Sequence, residues 1–128
     1  MILDSSAIVA IVFREPGYER LIRRINEASA IGIGTPTLAE TGIVLSARLG
    51  ARARSLLAAF LQELGVVQVP FGEFHWQEAM TAYEKFGRGR HPAKLNFGDC
   101  LSYATAKLAG QPLLYTGKDF RKTDLEAA

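Results

Sequence analysis

A chain of 128 residues with 48% hydrophobic content is long enough for one compact domain, expected over residues 1–128, and too apolar for a disordered or low-complexity segment. The formal net charge is only +2, and the single cysteine, Cys100, excludes an internal disulfide and a cysteine-rich zinc site. No apolar run reaches the roughly 20 residues of a membrane span, and the start, Met1-Ile2-Leu3-Asp4, has neither a basic leader nor a small-residue cleavage site, so a reducing, cytoplasmic setting is expected.

In chain order, Met1–Leu3 reads as a buried strand that ends at Asp4. Ser5 or Ser6 is expected to cap a short apolar helix, Ala7–Phe13, which leaves Asp4 unengaged. Glu15-Pro16-Gly17 breaks that helix. The spacing of Leu21, Ile22 and Ile25 predicts a second helix over Tyr18–Ala28. Ile31–Gly34 is a second strand. A third helix is expected over Leu38–Leu49 with Gly50 at its end, and a fourth over Ala51–Leu64 before Gly65. Val66–Val69 is a β-branched strand stopped by Pro70.

A fifth helix runs from Glu73 to about Lys85, with Trp76 expected to pack in the core. Gly87–Pro92 is a loop. Phe97–Leu108 is a sixth, largely buried helix closed by Gly110. Pro112–Tyr115 is a fourth strand, and Thr123–Leu125 is expected to return as an edge strand. Strands alternating with helices predict an α/β fold around a parallel sheet.

Four acidic residues stand where strands or loops meet helices or turns: Asp4, Glu40, Asp99 and Asp119. An α/β fold gathers its functional groups in such places. Converging carboxylates repel one another unless a cation neutralises them, and oxygen ligands suit Mg²⁺ or Mn²⁺. The chain therefore reads as a divalent-metal hydrolase. Each acid also has an ordinary structural alternative. Thr37-x-x-Glu40 matches a capping box, Asn96-x-x-Asp99 a capped helix start, and Asp119 a turn beside Gly117. Thr116 and Ser6 are candidate supporting residues.

The net charge conceals an asymmetry. Without those four acids, 15 Lys and Arg face 9 Asp and Glu. Arg48, Arg52 and Arg54 form one basic stretch; Lys85, Arg88, Arg90, His91 and Lys94 form another. A polyanionic substrate suits this pattern, with Arg88, Arg90 and Lys94 as candidate contacts to its backbone. His75 and His91 have no metal-ligand spacing, the serines lack a triad pattern, and no phosphate-binding glycine loop is present.

Leu3-Asp4-Ser5-Ser6, the Thr-x-x-Glu40 helix start, Asn96-Phe97-Gly98-Asp99 and Thr116-Gly117-Lys118-Asp119-Phe120 together resemble a PIN domain, more narrowly a VapC-type toxin. The resemblance spans nearly the whole chain. It implies a three-layer α/β/α sandwich and a Mg²⁺- or Mn²⁺-dependent endoribonuclease, usually a homodimer, inhibited by a VapB-like antitoxin. Asp4 and Asp99 match the principal metal ligands, and Glu40 and Asp119 the remaining acidic positions. Many relatives carry two aspartates in the fourth motif; Lys118-Asp119 supplies one, and Asp124 is a candidate for the other. A signalling receiver domain, a non-catalytic RNA-binding or scaffold protein and an RNA-processing PIN nuclease without an antitoxin are the competing readings.

Overall fold

The computed structural model describes residues 1–128. Four short strands, β1 (Ile2–Leu3), β2 (Gly32–Gly34), β3 (Val67–Val69) and β4 (Leu113–Leu114), form one sheet in the order β3-β2-β1-β4. All pairings are parallel, with Ile2 opposite both Gly32 and Leu113. Six helices surround the sheet: α1 (Ser5–Val12), α2 (Tyr18–Glu27), α3 (Thr35–Leu49), α4 (Arg52–Leu64), α5 (Glu73–Phe86) and α6 (Phe97–Ala109). The α/β/α sandwich expected from the sequence is thus the architecture found.

Strand alternation explains the three layers. Leu3, Ile33 and Leu114 point to one face, where they bury against Ala7 and Ile8 of α1, Leu21 and Ile25 of α2, Leu45 of α3 and Leu57 of α4. Ile2 and Leu113 point to the other, against Ala82 of α5, Tyr103 and Ala106 of α6, Leu95 and Phe120. Each fully buried leucine or isoleucine stabilises the fold by about 1.5–3 kcal/mol. Small residues let α6 lie close on the sheet: a Cβ at Gly34 would stand 2.7 Å from the Thr105 hydroxyl.

Several local expectations are corrected. Asp4, not Ser5 or Ser6, caps α1, because both serines already lie in its first turn. Helix α3 starts at Thr35, with Pro36 in its first turn, where the missing N–H of proline carries no penalty. Thr37 therefore lies inside the helix, and the Thr37-x-x-Glu40 capping box does not form. Ile22 is 37% exposed, at the edge of the buried stripe of Leu21 and Ile25, and Trp76 is 53% exposed rather than packed in the core. The smaller Ala82 takes the buried face of α5 instead. Thr123–Leu125 forms no strand. Phe120–Lys122 makes a single helical turn, Thr123 bonds back to Phe120, and Ala127 makes the bridge to Leu113.

The sheet order also marks a functional position. From β1, the chain builds outward through β2 and β3, then returns to β1's other side as β4. That reversal opens a crevice at the carboxyl ends of β1 and β4, where open parallel sheets bind their ligands. Asp4 is the residue that follows β1.

Candidate active site

Asp4 is only 3% exposed, and both of its carboxylate oxygens accept hydrogen bonds. Oδ2 accepts the Ser6 N–H at 3.1 Å and the Ser6 hydroxyl at 2.5 Å. Oδ1 accepts the Ser102 hydroxyl at 2.6 Å. A buried carboxylate is tolerated only when donors replace lost water in this way. Ser102 lies 3.3 Å from the Thr37 hydroxyl. Since the one Ser102 proton points at Asp4, Thr37 is the donor in that second bond. On the other side, the Ser6 oxygen accepts the Thr116 N–H at 3.1 Å. Thr116 thus supports Asp4 through its backbone and Ser6, tying the end of β4 to the end of β1.

Asp99 is held differently. Asn96 caps α6 by accepting the Asp99 N–H at 2.9 Å, and Asp99 Oδ2 accepts the Asn96 N–H at 3.0 Å. The capped helix start read from the sequence is therefore real, and it leaves Oδ1 without a protein partner. The Asp99 carboxyl is pushed up to about 6, first by burial and then by the charges of Asp4, Asp119 and Glu40, against the lowering effect of the Asn96 N–H. The other three acids therefore all lie within electrostatic reach of Asp99. Asp119 is exposed on the loop after β4.

Glu40 reaches across from α3 to the first turn of α6. A Cβ on Gly98 would collide with Glu40 Oε2, so glycine is what admits the carboxylate there. The partial positive charge of a helix N-terminus favours an anion at that point. Neither ion pair of the chain, Arg24–Glu27 nor Lys107–Asp124, involves the four acids. Asp124 is held by the Tyr103 hydroxyl at 2.6 Å and by Lys107 at 2.8 Å, on a partner set separate from the four.

No three His, Cys, Asp or Glu side chains stand close enough to form a ready-made chelate. The donor set still fits a hard divalent ion: it is all oxygen, it has no basic partner, and one Asp99 oxygen lacks a hydrogen-bond partner. Cys100 adds no ligand or nucleophile, because burial, followed by the Asp99 charge, pushes its thiol up to about 11. His75 Nδ1 accepts the Gly72 N–H and His91 Nδ1 the Ala93 N–H. Each histidine is thereby committed to a local turn.

Arg88, Arg90 and Lys94 are exposed on the loop that leads into α6. Backbone bonds Arg88 N–H to Leu95 and Leu95 N–H to Phe86 pin the ends of that loop. The Arg90 guanidinium lies 5.7 Å over the Tyr83 ring. None of the three makes an ion pair with the acids.

Sequence reasoning missed Ser102 and Thr37. The signal was helical spacing: Ser102 lies three residues after Asp99, and Thr37 three before Glu40, so each shares a helix face with a carboxylate.

A family profile described as the PIN domain matches residues 1–126. Ribonuclease VapC36 of Mycobacterium tuberculosis is 43% identical over 127 residues, which cover 98% of this chain and 91% of that protein. Among solved structures, Mycobacterium tuberculosis VapC20, described as a sarcin-ricin loop cleaving toxin, superposes with a TM-score of 0.80 at 18% identity, covering 99% of this chain and 97% of that one. VapBC2 from Rickettsia felis, bound to a DNA fragment from its promoter, gives 0.73 at 20% identity, with 99% and 96% covered. At those identities the two structures speak for the fold. On the profile and the sequence relative, this chain belongs to the PIN-domain family and, within it, to the VapC ribonucleases.

Proposed function

We propose that this chain is the endoribonuclease toxin of a toxin–antitoxin pair and hydrolyses RNA phosphodiester bonds with a carboxylate-held Mg²⁺ or Mn²⁺. The observation that carries the reading is a set of four carboxylates in one field, at the carboxyl ends of parallel strands, with no basic side chain to neutralise them. Asp4 and Asp99 are the ligands we assign to the metal. Such an ion polarises a phosphate oxygen and lowers the pKa of an attacking water.

The chain's own residues divide the remaining work. Ser6 and Ser102 fix both oxygens of Asp4, so the carboxylate presents one orientation. Asn96 fixes one oxygen of Asp99 and leaves the other without a partner in the chain. Glu40 and Asp119 complete the acidic pocket, and Glu40 is the group available to accept the water's proton. Arg88, Arg90 and Lys94 hold the RNA backbone without reading sequence.

We assign the partner surface to α3 and α4. An apolar cleft of about 900 Å³ runs between them, lined by Leu38, Ile43, Leu57 and Leu61. Ile43 is 72% exposed beside it. A VapB-like antitoxin, or the second copy of a homodimer, would cover such a surface. No helix is long and apolar enough to cross a membrane, and we place the protein in the cytoplasm, where its RNA substrates are.

The test is cleavage of total RNA by the purified chain with Mg²⁺ or Mn²⁺, beside an EDTA control and Asp99→Asn. Asparagine can still accept the Asn96 N–H, so the variant should fold. Cleavage that needs both metal and Asp99, leaving 5′-phosphate ends, is the expected result. A folded, antitoxin-free sample that cleaves no RNA class would favour the binding or scaffold reading. Cleavage by a chain with no antitoxin partner would favour the RNA-processing reading.

A further inference from the structure

A second feature of the β4 edge lies outside the acidic site. A cleft of about 350 Å³ opens between the start of α2 and the residues that follow β4. Arg20 enters its lining from α2, and Arg121 from the helical turn after Asp119; the two are about a hundred residues apart in sequence and meet only through the fold. No acidic side chain lines the cleft, the terminal carboxylate of Ala128 on its far side is its one negative group, and neither arginine makes an ion pair or a side-chain hydrogen bond within the chain. Both are exposed.

The cleft is joined to the acidic site by one residue. Thr116 is part of its lining, and the Thr116 N–H bonds the Ser6 oxygen, which in turn bonds Asp4. A ligand seated between the arginines is thus two hydrogen bonds from the carboxylate that we assign to the metal. The Thr116 hydroxyl has no partner in the chain and is available to the same ligand.

We propose that this cleft is a backbone-phosphate subsite, in which Arg20 and Arg121 hold a phosphate of the RNA strand next to the one being cut. The proposal rests on the ribonuclease reading above. Guanidinium groups suit this role because each offers a planar fork of donors that matches two phosphate oxygens, and each stays charged at any working pH. The arrangement also answers an electrostatic problem. Four carboxylates repel an RNA strand as strongly as they attract a cation, so the strand must be anchored by positive charge outside the acidic pocket. The loop carrying Arg88, Arg90 and Lys94 precedes α6. The Arg20–Arg121 cleft follows β4. Together they would hold the strand on both sides of the scissile bond.

The test uses the full chain carrying Asp99→Asn, so that the probe is bound and not consumed. The probe is a short, mixed-sequence, single-stranded oligoribonucleotide, with affinity measured by fluorescence anisotropy over a range of salt. Arg20→Ala and Arg121→Ala should each weaken binding about tenfold, the loss of one charge-assisted contact. The slope of log affinity against log salt should fall by about 0.7 for each phosphate contact removed from a single strand. Arg→Lys at either position should keep the slope, because the charge remains, while losing part of the affinity. With Asp99 restored, the alanine variants should raise KM and leave kcat nearly unchanged.

A neutral methylphosphonate linkage walked along the probe adds a positional readout. One linkage should weaken binding to the Asp99→Asn chain and have no further effect on the double arginine variant. Unchanged affinity and slope in both alanine variants would overturn the subsite. A fall in melting temperature with no change in RNA affinity would also overturn it, and would mean that the arginines hold the chain's own C-terminal segment, whose Ala128 lines the far side of the cleft. Failure of the parent chain to cleave RNA, with no probe binding by its Asp99→Asn form, would sink the ribonuclease reading itself. Cleavage that survives in a protein indifferent to the arginine changes would sink only the subsite.

Discussion

The β1 end of the acidic site and the α6 end each present an aspartate, and they treat it differently. At the β1 end, Asp4 is buried and accepts hydrogen bonds from a backbone N–H and two hydroxyls, with a third hydroxyl behind them. At the α6 end, Asp99 keeps one backbone donor and faces three other negative charges. The first carboxylate is fixed in orientation by its donors before any ligand arrives. The second is held partly against its ionisation, and a cation would relieve it. A site of this kind combines a rigid ligand with one whose preference for a metal comes from its neighbours' charge.

The comparison is broken most sharply at Ser102. Ser102→Ala removes the donor to Asp4 Oδ1 inside a dry pocket and leaves Thr37 without its acceptor. The expected cost is about 1–3 kcal/mol of stability, from an unsatisfied buried acceptor. Loss of such a supporting bond should also lower metal affinity or RNA cleavage by about 10- to 100-fold. Calorimetric Mn²⁺ titration beside an RNA cleavage assay measures both. Asn96→Ala at the opposite end removes only a helix cap, worth about 1 kcal/mol, and should disturb metal binding less. Equal losses from the two changes would show that Asp4 is no better organised than Asp99.

Charge repulsion at the α6 end predicts a particular pH dependence. Asp99 titrates near 6 in the folded chain and near the ordinary aspartate value of about 3.9 when unfolded. Between those values the folded state binds the proton more tightly, so protonation adds stability. The contribution is fully present below the unfolded value and is lost as pH rises through about 6. In EDTA, the melting temperature of the parent chain should fall between about pH 5 and pH 7 more than that of Asp99→Asn. At about pH 7, added Mg²⁺ should raise the melting temperature of the parent more than that of the variant. Parallel pH profiles for the two proteins would remove the electrostatic argument.

How far the sequence can be read follows from the range of the interactions involved. The alternation of strands and helices, and the sheet that results, rest on local periodicity, so Leu21 and Ile25 or Val67–Val69 are legible one segment at a time. The positions of Asp4, Asp99 and Asp119 at element boundaries are legible for the same reason, whereas Glu40 lies in the second turn of α3 rather than at its start. Hydroxyl support is not. Ser102 reaches Asp4 across 98 positions of sequence, and its one local signal, a helical face shared with Asp99, does not name the carboxylate it bonds. The size of Trp76 points to the core, whereas α5 buries Ala82 and packs Phe86 on Tyr103 of α6, leaving the indole outside. Thr35-Pro36 reads as a lead-in to α3, but proline is at home in a first turn and the helix starts there.

The smallest expected effect separates the two candidates for the fourth acidic position. Asp119 is exposed after β4 and adds to the field on Asp99. Asp124 lies five residues further on and is spoken for. Burial alone would raise its carboxyl, but hydrogen bonds from Lys107 and Tyr103 and the Lys107 charge hold it below the usual carboxylate range. Its partner Tyr103 is buried beneath it, so Asp124→Asn should weaken the hold on that hydroxyl and cost about 1 kcal/mol or less, the pair being half-exposed. RNA cleavage by the folded variant should be unchanged. Asp119→Asn should do the reverse, leaving the melting temperature in place and lowering cleavage. Melting curves and cleavage rates measured on the two variants side by side decide the matter. If Asp124→Asn is the change that lowers cleavage, the fourth acidic function lies with the residue bound to Tyr103, and the pocket extends further along the chain's final turn than the charges around Asp99 indicate.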